Sequence, residues 1–107
     1  MKKNIAEKAA ETLKTLAHPA RLRIAALLRN GELCVSEIVD AIGEKEPIVS
    51  QNLNRMKDKG ILGSRHQGSK VFYYLKDAKM INGLLNCMVD GSVNDIWRKS
   101  SSTYKSV

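Results

Sequence analysis

The chain has 107 residues, about one domain's worth. Its 18 Lys and Arg outweigh 11 Asp and Glu, a formal net charge of +7, and 43% of its residues are hydrophobic, enough for a small core. These figures exclude several classes. No run of ~18 apolar residues offers a membrane span, and Met1-Lys2-Lys3 lacks the apolar stretch that follows the start of a secretory signal. Two Cys set 53 positions apart make no disulfide framework, so a reduced cytoplasmic setting is expected. There is no Ser-His-Asp set, phosphate loop or clustered set of metal ligands, so no enzyme is expected.

Taken in chain order, Ile5, Ala9, Leu13 and Leu16 form one stripe at helical spacing. His18-Pro19 interrupts it, and Pro19 suits the first position of a second helix, whose apolar face is wide (Leu22, Ile24, Ala25, Ala26, Leu27, Leu28). Asn30-Gly31 stops that helix. A short third helix carries Val35, Ile38, Val39 and Ile42 and ends at Gly43. After the turn Glu44-Lys45-Glu46, Pro47 opens a fourth helix with the stripe Val49, Leu53, Met56 and a stop at Gly60. Ile61-Leu62 and Val71–Leu75 are β-prone runs around a Gly68 turn and predict a hairpin. Asp77 suits the cap of a fifth helix bearing Met80, Ile81, Leu84, Leu85, Cys87 and Met88. Gly91 interrupts it, Val93, Ile96 and Trp97 add a turn or two, and 100–107 reads as a flexible tail. The expected organisation is a single domain over 1–99 followed by that tail.

Helix, short turn, helix, hairpin is the order of a winged helix-turn-helix: mainly α, about five helices and a two-stranded wing. The second helix of such a pair enters the major groove with its N-terminal residues at base edges. Here that stretch runs Ile48-Val49-Ser50-Gln51-Asn52. With Val49 inward, Ser50, Gln51 and Asn52 are expected to be free for bases, since Gln and Asn pair bidentately with adenine. Lys45 and Arg55 flank them, and Arg65, His66 and Lys70 stand on the hairpin, in reach of phosphates or the minor groove. The charge agrees: residues 44–76 hold seven bases against three acids, a balance of +4 out of the total +7. Double-stranded DNA is the expected partner. A DNA-binding regulator or architectural protein without effector control, its cysteines structural, is the alternative.

Four stretches then resemble, in order, the ArsR family of bacterial winged-helix repressors. Leu16-Ala17-His18-Pro19-Ala20-Arg21-Leu22-Arg23-Ile24 is similar to its L-x-H-P-x-R-L-x-I opening, and Glu32–Ile38 to its E-L-x-V-x-[ED]-[IL] segment. Pro47–Leu53 resembles its recognition helix, with Asn52 where His is usual. Arg65–Tyr73 resembles its wing, with Ser69 where Arg is usual. The resemblance implies a cytoplasmic homodimer, paired through the first and last helices on a palindromic operator, and repression relieved by an effector. His18 belongs to the family's H-P turn and is expected to cap a helix rather than hold a ligand.

The family's known sensing sets are incomplete here. Of the zinc-site positions only Asp77 keeps its residue; Lys79, Asp90 and Val93 stand at the others. Ser36 stands where arsenite and cadmium sensors have a second Cys, and Ala26 and Ser92 where persulfide sensors have their pair. Cys34 and Cys87 remain as effector candidates, responding to an oxidant, a reactive sulfur species or a soft metal or metalloid ion, or by thiol modification without any cofactor. Cys34 stands at the start of the third helix, whose positive end favours thiolate.

Overall fold

The computed structural model describes residues 1–89. They fall into two compact units, residues 1–77 and the helix that follows. The first unit contains α1 (Lys3–Leu16), α2 (Pro19–Leu27), a 3-10 turn (Leu28–Asn30), β1 (Leu33–Cys34), α3 (Val35–Ile42), α4 (Glu46–Asp58), β2 (Leu62–Gln67) and β3 (Lys70–Leu75). The second contains α5 (Ala78–Val89). The features expected at Asp90, Gly91, Ser92, Val93, Ile96, Trp97 and over 100–107 lie outside the described residues.

The core of the first unit is built from the helical stripes read above. Ile24 and Ala25 of α2, Ile38 and Ile42 of α3, and Val49, Leu53 and Met56 of α4 are all buried. Each large aliphatic side chain taken from water contributes about 1.5–3 kcal/mol, so this cluster holds the three helices together. The helix ends are satisfied by identifiable groups. Arg23 Nη2 of α2 donates to the Ile42 carbonyl at the end of α3, 2.9 Å away, where a cation also suits the helix dipole. Gly60, in the left-handed region at φ +76°, closes α4: its N–H bonds to Lys57 O at 3.0 Å and that of Ile61 to Met56 O at 2.9 Å. His18 is the N-cap of α2 through its backbone only, since its imidazole makes no capping hydrogen bond.

The sheet has one strand more than the hairpin predicted from sequence. β1 pairs antiparallel with β3, giving the order β1-β3-β2. Two residues carry no readable alternation, and only pairing with β3 makes them a strand. Cys34 and Arg65 both face Phe72, so one rung crosses all three strands. Gly63 faces Tyr74, and a Cβ at Gly63 would lie 2.4 Å from the ring's Cζ and 2.5 Å from its hydroxyl oxygen, so glycine is what lets the aromatic lie across the strand.

The α1 stripe is only partly covered within the chain. Leu16 is buried, but Ile5 and Leu13 are each 52% exposed and Ala9 is half-buried. The helix is amphipathic as predicted, and its first unit leaves most of the stripe uncovered. Along α5, Ile81 and Leu85 are the buried positions, four apart, while Met80 and Cys87 are exposed.

Candidate nucleic-acid interface

α3 and α4 are joined by three residues, 43–45, and Gly43 at φ +77° makes the turn. α4 begins one residue before Pro47, with Lys45 as an extended N-cap whose carbonyl accepts from the N–H groups of Ile48 and Val49. Its inward positions are Val49, Asn52, Leu53 and Met56. The face left open carries Ile48 (41% exposed) and Gln51 in its N-terminal half and Arg55 in its last turn, with Ser50 half-buried beside the first two and Lys45 exposed in front. Asn54, on the same open face, went unremarked in the sequence reading. Its spacing of three from Gln51 was the available signal.

Asn52 requires a correction. It is not free for bases but 8% exposed, with each end of its amide held in a hydrogen bond. Its Oδ1 accepts from Arg21 Nε at 3.0 Å and its Nδ2 donates to Ile48 O at 3.1 Å. Arg21 Nη1 donates in turn to Thr15 O at the end of α1, 3.1 Å away. Position 52 is three after Val49, on the buried stripe, and a polar side chain there needs buried partners. Arg21 therefore ties α1, α2 and α4 together, a role the sequence did not disclose. A second tie joins α1 to the end of α4: Lys59 Nζ lies 2.7 Å from Glu11 Oε1, and Lys59 holds the Glu11 carboxyl below the ordinary glutamate range.

The wing is closed by the two-residue turn Gly68-Ser69, with Gly68 at φ +61° in the position where tight hairpins favour glycine. His66 and Lys70 are exposed near this turn. Arg65 is not at the tip. It stands in β2 opposite Phe72, its guanidinium 4.7 Å over that ring, and it is paired with Glu32 rather than free.

Cys34 is the N-cap of α3 and only 4% exposed. Its backbone N–H donates to Glu37 Oε1 at 2.9 Å, and its Sγ lies 3.2 Å from Ser36 Oγ. The Glu37 carboxyl is held below its ordinary range by the Cys34 N–H first, then by the Cys34 side chain, against a small burial effect and with help from the charge of Lys70. A cleft of about 340 Å³ opens beside this cap, between α3, α4 and the wing. Cys34, Ser36, Glu46, Ser50, Ser69 and Lys70 line it. Among the described residues no three His, Cys, Asp or Glu side chains gather in metal-binding proximity, and no helix is long and apolar enough to cross a membrane.

Residues 18–64 match the model of the bacterial regulatory protein arsR family. The chain is 41% identical over 75 residues to an HTH-type transcriptional regulator of Methanocaldococcus jannaschii, covering 69% of this chain and 84% of that protein. It belongs to the ArsR family. Two solved structures are similar to this ArsR-family chain. The transcriptional repressor BigR of Xylella fastidiosa superposes with a TM-score of 0.69 at 36% identity, over 77% of this chain and 84% of that one. A homodimeric winged helix-turn-helix DNA-binding domain, Mb0332 of Mycobacterium bovis, gives 0.71 at 28% identity, over 77% and 79%. The winged-helix expectation holds, and the family is one of transcriptional regulators, not of enzymes.

Proposed function

We propose that this ArsR-family regulator is a sequence-specific, cytoplasmic repressor that binds operator DNA as a homodimer. In this reading α4 lies in the major groove. Ser50 and Gln51 meet base edges, Ile48 meets thymine methyls, and Lys45, Arg55, His66 and Lys70 meet phosphates. The observation that carries it is the open face of α4, where Ile48 and Gln51 near its start and Arg55 in its last turn remain exposed beside a wing of basic residues. The same face would serve no purpose in the core. The uncovered Ile5 and Leu13 on α1 support pairing through that helix, with α5 as its companion. Two-fold symmetry then sets the two α4 helices about 34 Å apart on the duplex.

Relief of repression is assigned to the thiols. Cys34 lines the cleft between α4 and the wing, so an adduct or soft ion on its sulfur would enter between the two DNA-facing elements. Cys87 is exposed and open to reagent. The burial of Cys34 favours the second reading, in which the cysteines are structural and binding has no effector control.

One selection experiment tests both. Duplexes recovered from a random-sequence library are compared with scrambled versions across a salt series. A palindromic sequence bound more tightly than its scramble, with affinity falling steeply in salt, is the expected outcome. Equal affinity for both leaves only nonspecific binding. The selected duplex is then challenged with oxidant, polysulfide, Cd(II) and As(III). Cys34→Ser is expected to keep the fold, serine being a favoured N-cap, and to resist release. If Cys34→Ser and Cys87→Ser proteins release DNA as the parent does, or nothing releases the parent, the thiol assignment is wrong.

A further inference from the structure

The wing arginine is held by a carboxylate of its own chain. Arg65 Nε lies 2.9 and 2.8 Å from the two carboxylate oxygens of Glu32, and its Nη2 also contacts Glu32 Oε1. Nη1 donates to Gln67 Oε1 at 2.9 Å, and Phe72 underlies the guanidinium. A planar fork closed on an oxyanion is the way arginine takes a phosphate. Here that fork is already filled.

We infer that Glu32 is an intramolecular competitor for DNA: its carboxylate occupies on Arg65 the place a backbone phosphate would take, and so withholds one wing contact from the complex. The inference rests on the DNA-facing reading of α4 and the wing and adds a residue that limits its affinity.

Two features make Glu32 a competitor rather than a fixed strut. The pair is open to water, with side-chain exposures of 44% for Arg65 and 35% for Glu32. Glu32 also stands in irregular chain between the 3-10 turn and β1, after Gly31, with no ladder hydrogen bonds of its own element to hold it. Phe72 keeps the guanidinium plane oriented when the carboxylate leaves. Freed of Glu32, the fork is therefore presented with little reorganisation.

The test uses the full chain and a mixed-sequence duplex about two helical turns long. Log affinity is measured against log salt for the parent, Glu32→Gln, Arg65→Gln and the double variant. Glu32→Gln is expected to bind up to about 25-fold tighter at low salt, about fivefold for each of the dimer's two exposed bidentate pairs. Its salt slope is expected to steepen by about 1.8 per dimer, the signature of one more neutralised phosphate in each half-site. In the Arg65→Gln background the steepening is expected to vanish. Glu32→Asp, which keeps the charge but shortens its reach, is expected to fall between parent and Glu32→Gln, and far-UV dichroism establishes that each variant is folded. An unchanged slope in Glu32→Gln, or a steepening that persists without Arg65, overturns the inference while leaving the DNA-binding reading in place. A parent protein that binds no duplex sinks both.

Discussion

Position 52 shows how one residue type carries two opposite meanings. An Asn near the front of a recognition helix offers adenine a bidentate partner, yet here both ends of the amide are spent on Arg21 and Ile48 O. Asn52→Ala is expected to destabilise the fold by about 1–3 kcal/mol, because it strips a part-buried guanidinium of an acceptor and empties a polar site. Gln51→Ala is expected to leave stability within about 0.5 kcal/mol and to weaken DNA binding instead. Denaturant unfolding and duplex titration, run side by side, separate the two, and a stable Asn52→Ala protein that loses DNA binding would restore Asn52 to the interface. The burial of Asn52 was legible in the sequence, since it falls three after Val49 on the stripe that also holds Leu53 and Met56. Its partner was not: nothing local pairs Arg21 with a residue 31 positions away. The partner of Arg65 was hidden for the same reason, since Glu32 reaches it from 33 positions upstream.

At the level of elements, the helices were readable because each has its own period and its own stop, and Gly43 and Gly60 sit where left-handed backbone is needed. The hairpin was readable from its turn. β1 was not, because a two-residue strand exists only through its partner, whereas the α1 stripe was readable as a pattern. The cap of α3 yields a pH prediction. Glu37 has a folded-state pKa below its unfolded value, so its contribution to stability is present above the ordinary glutamate range and is lost as pH falls through the lowered value. Glu11, paired with Lys59, acts in the same direction. Stability measured by denaturant from neutral pH downward is expected to decline across that acid window, and Glu37→Gln to flatten the decline. An identical acid profile in Glu37→Gln would show that the cap contributes nothing through its charge.

For the whole molecule, the half-exposed Ile5 and Leu13 are the surface on which the proposed dimer turns. Ile5→Asp with Leu13→Asp is expected to shift sedimentation from dimer to monomer and to weaken operator binding by at least about tenfold, through loss of the second half-site. Unfolding of residues 1–77 is expected to be little changed, since neither side chain is in the core. A variant that still sediments as a dimer would move the interface elsewhere. The inward turn of Asn52 also limits how much information the protein can read. In the proposed docking, with Ser50 and Gln51 as the base-directed polar side chains of each α4 and each good bidentate contact giving about 1–3 kcal/mol of discrimination, direct contact spells out only a few letters per half-site. A genome offers ~10⁶ or more competing positions. The remaining choice must be written in the duplex itself, in the stiffness and groove width of base pairs that no side chain touches.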